Sequence, residues 1–272
     1  MRTRKRNVVI GVSALALLVG GFFLLQFQLN SSQDEEDPEP VSILPGESYV
    51  DYLQRLIQVK PRVEVAVIGS SVTAGMGASD QSHSWAGRTI TNLQLMDPNF
   101  YKLQLTNYGV NGATIQDLIN NGKMEAMVAS DPDFIIMETS LLNSHRKDEP
   151  LERTNAALDT AVSMIQGAHP ATIIVLTSPN PATTKTPEDL NGLGLNYQAY
   201  IQSTNTFIAQ QGWSYVDTYS AMRLQFEDEG IQLEATLDDG LHPNDVGYKV
   251  WADVLWAYLT GEAPVEKEQK EE

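Results

Sequence analysis

Residues 63–75 read VEVAVIG followed by SSVTAG: a short apolar run closed by Gly69, then Ser70, Ser71, Val72, Thr73, Ala74 and Gly75. A run of this length, rich in β-branched residues and bounded by glycine, reads as a β-strand. A small residue before a serine at the strand end lets the backbone turn tightly and leaves the hydroxyl exposed at the rim of a sheet. Alone, such a loop serves equally as a turn whose hydroxyls cap the next helix. It is not a phosphate-binding loop, because no GK[ST] follows.

Working outward, apolar runs at 103–108, 133–138 (DFIIME), 172–177 (TIIVLT) and 215–217 read as further strands. Helical patterns fall between them at 84–96, 114–129, 151–167 and 195–211. Another, at 49–59, precedes the first strand, and one at 244–259 closes the domain. Strands separated by helices predict right-handed βαβ units, hence an α/β fold of three layers, α/β/α, with a mostly parallel five-stranded sheet. In such sheets ligands bind at the carboxyl ends of the strands. The candidate chemistry lies there.

After the second strand the chain reads NYGVNGAT (107–114), a glycine-bearing turn able to aim backbone N–H groups at an anion or simply to turn tightly. After the third it reads ETSLLNS (138–144), in which Asn143 offers a side-chain amide. Near the C-terminus stands LDDGLHPN (237–244). An aspartate three residues before a histidine, in a turn ahead of a helix, brings a carboxylate to an imidazole. The carboxylate then fixes the tautomer and stabilises the imidazolium formed when the ring takes a serine proton.

These pieces, in this order, resemble the SGNH/GDSL hydrolase family over about residues 63–259. GSSVTAG is similar to the family's GDSxTxG block and NYGVNGAT to its second block; Asn143 falls on the third-block asparagine and DGLHP supplies the fourth. The resemblance implies a flavodoxin-like sheet and a serine ester hydrolase with Ser71, Asp239 and His242 as catalytic triad. It also implies an oxyanion hole from the N–H groups of Ser71 and Gly112 and the amide of Asn143, with no cofactor and no metal. Two positions depart from the pattern: Ser70 and Ser144 stand where aspartate is usual, and the step from Glu138 to Asn143 is one residue longer than in ELGxND. The other histidines, His83, His145 and His169, lack metal-ligand spacing and read as surface or loop residues, with His145 close enough in sequence to Asn143 to line the cleft. The proline- and glycine-bearing stretch 179–195 reads as an irregular loop and a candidate substrate wall.

Composition narrows the partners. The chain has 272 residues, a formal net charge of −17 and no cysteine. The acidic surface excludes nucleic acid as a natural ligand, and without cysteine there are no disulfides, thiolate sites or thiol nucleophile. Residues 1–29 pair a basic flank (Arg2, Arg4, Lys5, Arg6) with an apolar run long enough to span a bilayer, and bulky residues occupy the place of a cleavage site. They read as an uncleaved single-pass anchor, residues 30–46 as an acidic stalk, 47–261 as the hydrolase domain and 262–272 as a charged tail. The expectation is a membrane-held, extracytoplasmic enzyme that removes acyl groups from cell-envelope carbohydrate or lipid. Acyl transfer to a glycan, or a catalytically silent glycan-binding domain on the same fold, are the alternatives. The sequence does not fix an oligomeric state.

Overall fold

The computed structural model describes residues 41–262. The anchor, most of the stalk and the tail expected from the sequence lie outside the described residues. Among the described residues, no helix is long and apolar enough to cross a membrane.

Five strands form one sheet: β1 (Val63–Ile68), β2 (Leu103–Asn107), β3 (Phe134–Glu138), β4 (Ile173–Thr177) and β5 (Tyr215–Val216). Their order is β2-β1-β3-β4-β5, and each neighbouring pair is parallel. The burial of each strand follows its place. The central strand β3 is buried at every position, while β2 at one edge exposes three of its five residues.

Alternation along the strands divides the core in two. Val65 and Val67 of β1 and Phe134 and Ile136 of β3 face one layer. That layer is built from α1 (Tyr49–Val59), α2 (Trp85–Met96), α8 (Thr218–Glu229) and α9 (Asp245–Thr260). Ala66, Ile68, Ile135 and Met137 face the other, built from α3 (Ile115–Asn120), α4 (Lys123–Val128) and α6 (Leu151–Ala168). The period of two is that of a pleated strand covered on both faces. In the first layer Trp85 of α2 stacks on Trp251 of α9, both fully buried, with ring centroids 5.7 Å apart. This contact seats α9 and the turn that leads into it.

Three helical stretches, 114–129, α5 (Leu141–Arg146) and α8, differ from the sequence reading. The single helix expected at 114–129 is divided into α3 and α4, because Gly122 adopts a left-handed conformation (φ 73°) between them. Thr114 and Asp117 close a reciprocal capping box at the start of α3. α8 has no counterpart in the sequence reading. It buries only Thr218, Tyr219, Met222 and Phe226, a narrow stripe among polar and charged residues. A short helix, α5 (Leu141–Arg146), follows β3, and α7 (Tyr197–Gln211) completes the set.

The chain runs from β1 to β2 on one side, then returns to place β3 on the other side of β1. The loops leaving β1 and β3 therefore diverge and open a crevice at the carboxyl edge of the sheet.

Candidate active site

Three strand ends and one C-terminal turn meet at this crevice. Ser71 follows β1, Gly112 follows β2, and Asn143 lies on α5 after β3. Asp239 and His242 sit in the turn ahead of α9. Ser71, Gly112, Asn143 and His242 line one open cleft of about 260 Å³, together with Met76, Asn111, Leu142, Arg146 and Leu241.

Ser71 Oγ lies 3.0 Å from His242 Nε2, and His242 Nδ1 lies 2.7 Å from Asp239 Oδ2. The other carboxylate oxygen, Oδ1, accepts from the backbone N–H groups of Leu241 (3.0 Å) and His242 (2.8 Å). Burial by itself raises the Asp239 pKa, but the His242 and Leu241 N–H groups and the imidazole outweigh it, and the carboxyl titrates below its ordinary value. An ionised Asp239 directs the Nδ1 proton toward itself and leaves Nε2 with a lone pair facing the Ser71 hydroxyl.

Two contacts hold the serine loop against the histidine turn. Tyr248 of α9 donates its hydroxyl to the carbonyls of Met76 (2.7 Å) and Val72 (3.1 Å). Asp245, at the start of the same helix, accepts from Ser79 N (2.9 Å) and Ser79 Oγ (2.7 Å). Gly77 is required here: a Cβ on it would overlap the Pro243 carbonyl oxygen.

Beneath the serine loop lies Glu138, wholly buried at the end of β3. Its Oε2 accepts from Ser70 N (2.7 Å) and Thr73 Oγ1 (3.3 Å), and its Oε1 accepts from Ser140 N (2.6 Å). Gly69 permits this approach, since a Cβ there would stand 2.5 Å from Glu138 Oε2. Burial pushes the carboxyl pKa up despite these donors. The sequence shows Glu138 as the last residue of an apolar strand and the start of the step to Asn143, with no role of its own. A carboxylate in that place is the one signal of its buried role.

Asn143 is 6% exposed, and its Nδ2 donates to the Ala113 carbonyl at 3.1 Å. This bond uses one amide hydrogen and joins the loop after β2 to α5. Between Glu138 and Asn143, Ser140 turns left-handed (φ 57°) to begin α5. Gly112 is also left-handed (φ 72°). The N–H groups of Ser71 and Gly112 donate to no acceptor among the described residues.

Of the two departures from the expected pattern, Ser144 donates its hydroxyl to Glu149 Oε2 at 2.8 Å, while the Ser70 hydroxyl is buried with no hydrogen-bond partner among the described residues. Two other expectations are corrected. His145 is 2% exposed and lies away from the cleft, between Tyr197 and Tyr200, with Nε2 3.2 Å from the Asp189 carbonyl. Its burial lowers its pKa. Residues 179–195 are irregular, as composition suggests, but they do not line the cleft at Ser71. They brace the histidine turn from behind: Asn180 Nδ2 donates to the Leu241 carbonyl (2.9 Å) and Thr183 Oγ1 to the Gly240 carbonyl (3.1 Å). Among the described residues, no group of three or more His, Asp or Glu is placed to hold a metal ion.

A strand-end serine beside an imidazole held by a carboxylate, on a parallel sheet, is an arrangement found in hydrolases that work through an activated hydroxyl. The chain belongs to the GDSL-like lipase/acylhydrolase family, whose sequence profile matches residues 67–250, and is a carboxylic ester hydrolase. No curated protein sequence matches the chain. Among solved structures it resembles a two-domain esterase (CEX) active on acetylated mannans, at 19% identity and a TM-score of 0.62, covering 83% of this chain and 56% of that one. It also resembles a mutant of Axe2, an acetylxylan esterase from Geobacillus stearothermophilus (17% identity, TM-score 0.57, 72% and 94% of the two chains). A G-D-S-L family lipolytic protein from Veillonella parvula DSM 2008 is similar too (18% identity, TM-score 0.55, 71% and 96%). At these identities the likeness is one of fold.

Proposed function

We propose that the protein is a serine esterase that removes O-acetyl or other short acyl groups from cell-envelope carbohydrate outside the cytoplasmic membrane. The observation that carries this reading is the relay from Ser71 Oγ to His242 Nε2 (3.0 Å) and from His242 Nδ1 to Asp239 (2.7 Å). His242 takes the Ser71 proton as Oγ bonds to the ester carbonyl carbon. The carbonyl electrons move onto oxygen, where the Ser71 and Gly112 N–H groups and the free Asn143 amide hydrogen receive the charge. As the tetrahedral species collapses, the C–O bond to the alcohol breaks and His242 returns its proton to the departing oxygen. Water then attacks the acyl-serine, giving its proton to the same imidazole, and the acid leaves with Ser71 restored.

Three observations support the substrate class. The cleft is open and of only about 260 Å³, which suits a short acyl group on a bulky alcohol better than a long chain. Two of the similar structures are esterases described as acting on acetylated polysaccharides. The basic flank and apolar run of residues 1–29 read as a membrane anchor that places the domain against the envelope.

The test is release of p-nitrophenol from acetyl and octanoyl esters by the purified chain, beside Ser71→Ala. We expect turnover that favours acetyl and falls at least ~10⁴-fold in the variant. Activity that survives Ser71→Ala removes the nucleophile from this reading, and preference for octanoyl turns it toward lipid acyl hydrolysis.

A further inference from the structure

The cleft contains one permanently charged group that the proposed mechanism does not use. Arg146 lies three residues after Asn143 on α5, so the two side chains share a helix face and both reach the cleft. A Cβ built on Gly112 would stand 3.2 Å from Arg146 Nη2, which places the guanidinium against the same glycine whose N–H is assigned to the oxyanion. Arg146 has no hydrogen-bond or ion-pair partner among the described residues. Its neighbour Lys147 does, binding Asp117 Oδ2 at 2.7 Å. Asn111, also at the cleft rim, likewise makes no side-chain hydrogen bond among the described residues.

The surroundings make this cation conspicuous. The chain carries a net charge of −17, which disfavours anions at long range, yet no carboxylate lines this cleft. The nearest in sequence to its lining residues are Asp148, which accepts from Gly192 N (2.6 Å), and Asp239, which is committed to His242. The proposed mechanism already assigns three donors to the developing oxyanion. The guanidinium flanks Gly112 where a side chain would project, so it meets the part of the substrate beyond the ester. A planar fork of N–H donors at that position matches an oxyanion such as a carboxylate or phosphate, held by two parallel charge-assisted hydrogen bonds.

From this juxtaposition we infer that Arg146 is a specificity-determining residue and that the substrate is an acyl ester whose alcohol portion carries an anionic group beside the ester, as in an acylated acidic glycan. The inference rests on the esterase reading above and names the substrate class for it. It also accounts for an acidic protein acting on an acidic polymer: general repulsion is offset only where the anion meets Arg146, so correctly placed chains are retained and others are not.

The experiment compares kcat/KM for 3-acetoxybenzoate, its neutral methyl ester and 3-acetoxyphenyl phosphate, using the full chain, Arg146→Ala and Arg146→Lys. The quantity read is the ratio of each anionic ester to the neutral one, so general changes in activity cancel. We expect both ratios to fall about tenfold in Arg146→Ala and to be partly kept in Arg146→Lys. The larger fall distinguishes a carboxylate-bearing from a phosphate-bearing substrate. Ratios identical in all three proteins overturn the inference, as does an equal loss on all three esters, which would make Arg146 an oxyanion donor instead. Hydrolysis of the methyl ester and its abolition by Ser71→Ala report on the esterase reading separately.

Discussion

Glu138→Gln perturbs the buried support of the serine loop with almost no change in shape. In the wild type both carboxyl oxygens accept: Oε2 from Ser70 N at 2.7 Å and Oε1 from Ser140 N at 2.6 Å. A carboxyl group does this whether ionised or neutral, and when neutral its proton can go to Thr73 Oγ1. A glutamine has one acceptor oxygen. Whichever way the amide is turned, its NH₂ faces one of the two backbone N–H groups, and that buried donor loses its acceptor. The cost is about 1–3 kcal/mol, which lowers the melting temperature by roughly 2–12 °C in a domain of this size. The pH dependence follows from the raised carboxyl pKa. Because the folded state favours the neutral form, this group's contribution to stability is full below its unfolded pKa and is lost as pH rises through its folded one. Glutamine does not titrate, and the other groups are shared by both proteins. The gap between wild type and variant is therefore widest below the ordinary glutamate value of 4.5 and narrows as pH rises above it. Thermal melts of both proteins on either side of that value measure it. A gap that is absent, constant or widening with pH refutes the reasoning.

Three further outcomes are expected. Asp239→Asn keeps an acceptor for the turn's N–H groups but presents the wrong partner to His242 Nδ1; kcat for acetyl ester hydrolysis falls about 10²- to 10⁴-fold, toward the lower end because the carboxylate side chain is 50% exposed. Asn143→Ala lowers kcat about 10²- to 10³-fold in steady-state assays with little change in KM, since the lost amide acts on the developing oxyanion. Ser140→Gly relieves a left-handed non-glycine residue (φ 57°) and removes a buried hydroxyl that has no hydrogen-bond partner. The gain exceeds the extra freedom of the unfolded chain by roughly 0.5–1 kcal/mol, and a scanning melt rises by about 1–4 °C.

How legible all this was in the sequence depends on what each residue's neighbours do. The inner strands β1, β3 and β4 were visible because they are covered on both faces and read as largely apolar runs, VEVAVI among them; β2 at the edge is mostly exposed and β5 is only two residues long. Ser71, Asp239 and His242 were expected from the resemblance of their motifs to those of a known family, and the structure places the three side chains in series within hydrogen-bond reach. α8 was not legible, since it buries only four residues and its other positions are free to be polar. The break between α3 and α4 was written in Asn121-Gly122, but the apolar period continues across it and masks the glycine. Glu138, Arg146 and the real place of His145 depend on what approaches from other elements: three donors, a glycine from another loop, and two tyrosines of α7. Periodicity carries no trace of such contacts. The left-handed turn at Ser140 was not legible either.

The base and the carboxylate of the proposed triad belong to a single four-residue turn, Asp239 to His242, in which Asp239 binds both the ring and the backbone of His242. Aligning catalysis therefore reduces to one long-range setting, the seat of Ser71 against a preassembled acid–base unit 171 residues away in sequence. Tyr248 and Asp245 fix that setting from the helix that carries the unit. A displacement of this turn as a body would silence the enzyme while leaving the His–Asp pair whole, so activity and integrity of the site are separable. Inherited variation can then retune the distance to the nucleophile without rebuilding the base.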